Sequence, residues 1–219
     1  MFGLIYTSVL FISWSLSFIS VQPAKVFSFS DERPEGSGAT IKTASRKYKE
    51  GDFTICLDKY ITAINGETNL ISSEDFTIII PISLQSFQLH FKGIYYYAFN
   101  VPDIEPYTWG TVCFSYTVGT HTIRLAYRGK NYLEKNDPKL LGRLNIRENF
   151  LDSFILGRKS NIGTFIGKLS RFTVWRGARD KKSLEEVSDC SRRPSQSNLG
   201  KLQYNWSLFV FVKYKVENN

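Results

Sequence analysis

Histidine and methionine are scarce in this chain of 219 residues, which contains two histidines and one methionine. His90 and His121 are far apart in the sequence, and no motif for a serine or cysteine nucleophile accompanies them. Nucleophilic catalysis needs a nucleophile within hydrogen-bonding reach of a base. The sequence therefore argues against an enzyme of that type.

A strand that presents paired carboxylates on one face is the second feature that the sequence lacks. Glycanases need two carboxylates, facing the substrate across a cleft. The nearest candidates are Asp103 and Glu105, which stand between Pro102 and Pro106. Flanking prolines are typical of a loop rather than of a catalytic strand, so we predict no enzymatic activity and no cofactor; an enzymatic alternative remains only if two carboxylates face each other across a groove.

Charge is absent from the first 24 residues, which are apolar and rich in serine and threonine. This composition predicts a signal peptide over residues 1–24 and a single domain over residues 25–219. An uncleaved anchor is the alternative, because about 20 apolar residues span a bilayer, but the serines lower the hydrophobicity and favour cleavage. Cleavage gives a secreted, extracellular domain without stable membrane insertion.

Cysteine occurs three times in the chain. Because the secretory compartment is oxidising, each cysteine is a potential disulfide partner. Cys56 and Cys113 both lie in strand-like stretches, and a bond between them would close a long loop. Cys190 is the odd one: it is free, bonded to another chain, or a sign that the gene product is incomplete.

Aromatic residues are abundant, at 15% of the chain, and this favours strands over a helical bundle. Short runs with period-two alternation recur from Cys56 onward, among them "SFQLHF" and "TIRLAY". One helix is indicated in "RDKKSLEEVSDC", where Ser183 and Glu186 form a capping box. Apolar strand neighbours place Trp109 and Trp175 in the core. The pattern predicts an all-β antiparallel sandwich with one short helix.

Several motifs follow one another in a fixed order between Phe53 and Trp206. They are the cysteine strand "DFTICLDKY", then "WGTVCFSY", the turn "GK", "ILG", and "FIGKLSRFTVW" before the helix. This order resembles that of the pentraxin and laminin-G-like family. The resemblance implies a jelly-roll β-sandwich of the concanavalin A type, with Cys56 and Cys113 as the paired cysteines.

The calcium loop is where the chain departs from that family. The family has a run of Glu, Gln and Asp after its "LG" strand, whereas Gly157 is followed here by "RKSNIG". Calcium requires about six to eight oxygen ligands, and the side chains of Arg158 and Lys159 repel it. Glu74 and Asp75 lie near the place of the family's earlier acidic ligands, but two carboxylates alone are usually a surface pair. We therefore predict no metal site.

Positive charge is concentrated between residues 158 and 182, in a chain whose net charge is +8. Eight basic residues stand there against the single acid Asp180. A solvated surface is one reading of this segment; a site for sulfated or acidic glycans, or for phosphate headgroups, is the other. By strand alternation, Lys168 shares a face with Ser170, and Arg171 lies opposite. The residues predicted to bind the ligand are Arg158, Lys159, Lys168, Arg171 and Arg176.

These features predict a secreted, non-catalytic recognition module for an anionic glycan, without a well-formed calcium site. No motif that reads nucleic acid is present. The alternative is a protein interaction or assembly domain, or a fragment of a larger receptor or oligomer. Cys190 and the alternating tail "LFVFVKYKVENN", which is typical of a strand that pairs with another subunit, motivate it. Asn205 opens the sequon "NWS" and is the predicted glycosylation site.

Overall fold

A computed structural model describes most of the chain between residues 26 and 212. The described residues are 26–32, 35–42, 51–73, 76–91, 95–102, 104–136, 153–189, 202–204 and 210–212. The predicted signal peptide, the pair Glu74 and Asp75, Cys190 and the sequon at Asn205 lie outside them. Those predictions stay predictions.

The described strands form two antiparallel sheets, here called sheet A and sheet B. Sheet A contains β1 (Val26–Phe29), β3 (Phe53–Gly66), β8 (Trp109–Thr117), β9 (Thr122–Tyr127), β10 (Lys130–Asn136), β12 (Gly163–Arg176) and β13 (Leu202–Tyr204). Sheet B contains β2 (Ala39–Lys42), β4 (Thr68–Ser72), β5 (Phe76–Ile80), β6 (Ser86–Phe91), β7 (Tyr95–Asn100), β11 (Ser153–Leu156) and β14 (Val210–Val212). The one helix of the described residues is α1 (Lys181–Ser188).

Strand order shows how the chain alternates between the sheets. Sheet A runs β1-β12-β3-β8-β9-β10, with β13 also pairing β12, and sheet B runs β14-β2-β11-β4-β5-β6-β7. Neighbours such as β12 and β3 are far apart in the sequence, as expected of a sandwich with long crossovers. The predicted all-β jelly-roll sandwich with one short helix is confirmed.

The core lies between the sheets and is dominated by aromatic rings. Alternate residues of β3, beginning with Phe53, are buried against sheet B. The ring centroids of Phe53 and Phe76 lie 6.0 Å apart, and those of Phe154 and Phe172 lie 5.1 Å apart. Each pair joins one sheet to the other, and burying one such side chain contributes roughly 1.5–3 kcal/mol.

A second, smaller apolar cluster lies on the outer face of sheet A. Cys56 and Cys113 stand directly opposite each other on β3 and β8 and form a disulfide, as predicted. Leu184 of α1 packs over them together with Trp175, whose burial was also predicted. The helix therefore covers the half of the outer face that carries the disulfide.

Helix α1 begins three residues earlier than the sequence suggested. Asp180 is the N-cap, and its carboxylate accepts a hydrogen bond from the backbone N–H of Ser183 at 2.8 Å. This bond is the main reason that the pKa of Asp180 lies below its usual value. The prediction of a capping box beginning at Ser183 is wrong, because the Asp180 carboxylate already accepts the hydrogen bond from the first turn of the helix.

The described part of the tail pairs within the chain. Val210–Val212 adds to β2 at the edge of sheet B, and Leu202–Tyr204 adds to β12. Among the described residues, no helix combines the length and the apolar composition needed to cross a bilayer.

Candidate ligand-binding surface

The half of the outer face of sheet A away from α1 carries a row of polar and aromatic side chains. Ser28, Lys168, Tyr60 and Trp109 are direct cross-strand partners on β1, β12, β3 and β8. Cross-strand partners lie about 5 Å apart, so their side chains touch. We call four residues of this face the basic–aromatic patch: Tyr60, Trp109, Lys168 and Arg171.

The aromatic part of the patch is accessible to solvent. The ring centroids of Tyr60 and Trp109 lie 5.4 Å apart, and the ammonium of Lys168 lies 5.9 Å from the Tyr60 ring. Trp109 is 40% exposed. Nearby, Tyr107 is also exposed, and its backbone N–H donates to the carbonyl of Ile61 at 2.7 Å. The patch thus places the exposed Trp109 ring and the Lys168 ammonium on opposite sides of Tyr60.

The burial predicted for Trp109 is wrong. Trp109 begins β8 on the same side as Thr111 and Cys113, while Val112 and Phe114 face the core. Helix α1 covers Cys113 on that side, whereas Trp109, four residues earlier, is exposed. The alternation of apolar residues in β8 already indicated that Trp109 lies on the outer face.

A β-bulge determines where Arg171 points. Four residues of β12, from Ser170 to Thr173, lie opposite only three of β3, from Asp58 to Cys56. Arg171 is the extra residue and has a φ of 45°, in the left-handed region that costs a non-glycine residue roughly 1–2 kcal/mol. The expectation that Arg171 lies opposite Lys168 is wrong, because the bulge interrupts the alternation and brings both residues to the outer face.

Asp58 fixes the Arg171 side chain in that position. Nε of Arg171 donates to one oxygen of the Asp58 carboxylate, and the hydroxyl of Thr111 donates to the other at 2.6 Å. Asp58 is buried, while half of the Arg171 side chain remains exposed. The carboxylate therefore orients a guanidinium that still faces solvent.

The other predicted cations lie elsewhere. Arg158 and Lys159 follow β11 at one end of the sandwich, where the ammonium of Lys159 is 3.7 Å from the Asp31 carboxylate. Arg176 is paired through its backbone with Phe53 near the end of β12, and its side chain lies outside the described residues. The structure thus brings Lys168 and Arg171 together and separates Arg158 and Lys159 from them.

Lys59 is a charged residue that the sequence analysis missed. Its side chain is fully buried, with Nζ 3.4 Å from the carbonyl oxygen of Glu105 and 4.9 Å from the Tyr127 ring centroid. It therefore ties β3 to the segment that leads to Tyr107 and Trp109. The signal was present in "FTICLDKY", where the lysine occupies the fourth inward position of an alternating strand.

Metal ligands do not converge in the described part of the chain. No group of three or more His, Cys, Asp or Glu side chains there lies close enough to hold an ion. His90 lies on β6 of sheet B and His121 in the turn between β8 and β9. The His90 ring is 3.4 Å from the Gln88 amide oxygen, and the His121 ring is 3.1 Å from the Tyr116 hydroxyl.

Comparison with known proteins identifies the fold. No protein-family model and no curated protein matches the sequence. Among solved structures, a heptameric SAP-like pentraxin from Limulus polyphemus is similar, with a TM-score of 0.61, 13% identity, and 86% of this chain and 91% of that one covered. The chain has the pentraxin-like, concanavalin A-like lectin fold.

Two further structures share this fold. One is a candidate carbohydrate-binding protein from Bacteroides ovatus, with a TM-score of 0.52, 18% identity, and 74% of this chain and 46% of that one covered. The other is the CBM40 domain of a Ruminococcus gnavus IT-sialidase bound to α2,3-sialyllactose, with a TM-score of 0.50, 15% identity, and 75% and 98% covered. At these identities the likeness establishes the architecture and leaves the ligand to be argued from the surface.

Proposed function

We propose that this domain is a non-catalytic recognition module that binds an acidic glycan on the outer face of sheet A. The observation that supports the proposal is the basic–aromatic patch, in which the exposed cations Lys168 and Arg171 share the outer face with the half-buried Tyr60 and the exposed Trp109. The glycan-bound CBM40 domain shares the fold, which is consistent with such a role.

The chemistry of the patch suits a charged sugar. A pyranose ring has an apolar C–H face that packs on Tyr60 and Trp109, as flat apolar groups do on aromatic rings. A sulfate or carboxylate on the same sugar accepts hydrogen bonds from the Lys168 ammonium and the Arg171 guanidinium. Because both cations are exposed, the attraction should weaken as salt is added.

The setting of this module is part of the proposal. We propose that residues 1–24 are removed as a signal peptide, that the domain is extracellular, and that Asn205 carries a glycan. We further propose that ligand binding does not depend on calcium, since basic residues occupy the loop where the family has its acidic one.

A binding experiment on heparin-like chains tests the site. Immobilised sulfated chains are presented to the secreted protein and to Trp109→Ala, Lys168→Glu and Arg158→Glu. We expect the first two variants to bind roughly tenfold or more weakly, equivalent to about 1.4 kcal/mol each. We expect Arg158→Glu to bind like the parent protein, because Arg158 lies outside the basic–aromatic patch.

Lys130→Glu is the matched control for charge, since Lys130 is exposed on the far edge strand of the same sheet. The proposal is overturned if Lys130→Glu weakens binding as much as Lys168→Glu does, because net charge alone would then explain it. Binding that a chelator abolishes contradicts the calcium-independent mechanism. Absence of binding to every acidic glycan on an array favours the protein-partner alternative instead.

A further inference from the structure

A polar groove lies at one end of the sandwich, away from the basic–aromatic patch in the fold. It has a volume of about 400 Å³ and is formed by the segment from Lys159 to Thr164, the end of β3 at Asn65, and the β1–β2 connection at Asp31 and Glu35. This volume is within the usual range for sites that hold small ligands.

Backbone contacts hold the walls of the groove in place. The N–H of Gly36 donates to the carbonyl of Lys159 at 3.0 Å, and the N–H of Lys159 donates to the carbonyl of Ser37 at 2.9 Å. On the other side, the N–H of Glu67 donates to the carbonyl of Ile162 at 3.0 Å. The groove is therefore preformed, which lowers the entropy that a ligand must overcome.

A glycine allows these segments to approach so closely. A Cβ atom on Gly163 would lie 2.0 Å from the carbonyl oxygen of Glu67, which no side chain tolerates. The close approach of the loop to the β3–β4 turn thus depends on a residue without a side chain.

The charges of the groove disfavour an anion as ligand. Asp31 and Glu35 contribute two carboxylates to the lining, and Lys159 contributes one ammonium. That ammonium donates to the Asp31 carbonyl and lies 3.7 Å from its carboxylate. An anion would meet the excess of carboxylates, whereas the hydroxyl of a neutral ligand can donate to a carboxylate and accept from the ammonium, so a neutral ligand suits the lining better than an anion does.

The remaining lining favours a ligand rich in hydroxyl groups. Asn65 and Asn161 each offer an amide with donors and an acceptor, and the Ser160 hydroxyl, which donates to the Gly163 carbonyl at 3.3 Å, keeps its oxygen as an acceptor. Ile162 adds an apolar wall and is 55% exposed. Hydroxyls arranged around an apolar C–H face are the chemistry of a sugar ring. We infer that the groove binds a neutral saccharide unit, at a site separate from the basic–aromatic patch.

Nuclear magnetic resonance titration of the full ¹⁵N-labelled chain tests this inference. The neutral probes are lactose, maltose and N,N′-diacetylchitobiose, and glucuronic acid is the anionic probe. We expect at least one neutral probe to shift the backbone amides of Ser160, Asn161 and Thr164, and glucuronic acid to leave them unshifted.

Asn161→Ala is the test variant, because it removes one exposed amide from the lining; we expect roughly fivefold weaker binding, as for one lost hydrogen bond. Asn100→Ala makes the same chemical change at an exposed position on β7 and should bind like the parent. The inference is overturned if no neutral probe shifts the groove amides, if glucuronic acid shifts them equally, or if Asn161→Ala has no effect. Shifts confined to Trp109 and Lys168 would overturn it while leaving the proposed function standing.

Discussion

Replacing Arg171 by glycine and by alanine separates the backbone strain of the bulge from the ion pair with Asp58. Both variants lose the side chain that bonds Asp58, so this loss cancels when they are compared. Alanine keeps a Cβ at a φ of 45°, which costs roughly 1–2 kcal/mol, whereas glycine does not. Glycine loses roughly 0.5–1 kcal/mol through the entropy of the unfolded chain. We therefore expect Arg171→Gly to be more stable than Arg171→Ala by about 0.5–1 kcal/mol.

Thr173 of β12 provides the control position for this comparison. It is paired with Cys56 of β3 and is not among the residues with positive φ. There the order should reverse, with Thr173→Ala more stable than Thr173→Gly by about 0.5–1 kcal/mol. The free energies of unfolding are measured for all four variants by urea denaturation at neutral pH. If alanine is the more stable residue at both positions, Arg171 does not occupy a left-handed conformation and the account of the bulge is refuted.

Two further predictions concern the disulfide and alkaline pH. The Cys56–Cys113 bond closes a loop with a sequence separation of 57. The double variant Cys56→Ala/Cys113→Ala should therefore lose about 4 kcal/mol of unfolding free energy, measured by denaturant titration. An unchanged midpoint of denaturant unfolding would contradict a stabilising bond. Burial, with a smaller contribution from Asp52, raises the pKa of Tyr116 to about 12, from about 10 when unfolded. Because the folded pKa is the higher one, stability should fall as pH rises from about 10 to about 12, and Tyr116→Phe should reduce this loss.

The strands of the sandwich were predictable because their alternation is a local property of the chain. Phe53, Ile55 and Leu57 recur at every second position of β3, and their side chains pack into the core between the sheets. The cysteine pair was predictable as well, since both cysteines lie in strand-like stretches and in the motif order that resembles the family. The buried Lys59 was missed because a lysine at an inward position contradicts the usual preference of its type.

The candidate site was predictable only in its composition. Four of the predicted cations are close in the sequence, so the sequence alone shows their combined positive charge: Arg158, Lys159, Lys168 and Arg171. Arg158 and Lys159 precede β12, whereas Lys168 and Arg171 lie within it. Because about four residues of a strand advance the chain by roughly 13 Å, the first pair lies at the end of the sandwich and the second pair on the face of sheet A. The pairing of Lys159 with Asp31 joins residues 128 positions apart, which no local pattern reveals.

By itself, the sequence determined that this chain forms strands, carries excess positive charge and lacks the acidic loop of the family it resembles. Each of these is set by residue type or by a period of two, which neighbours along the chain decide. Only the tertiary structure decided which charges act together. The bulge at Arg171 turns one cation onto the face of Lys168, and α1 covers one half of that face while Trp109 stays exposed on the other. Both outcomes depend on contacts between strands and a helix that are distant in the sequence.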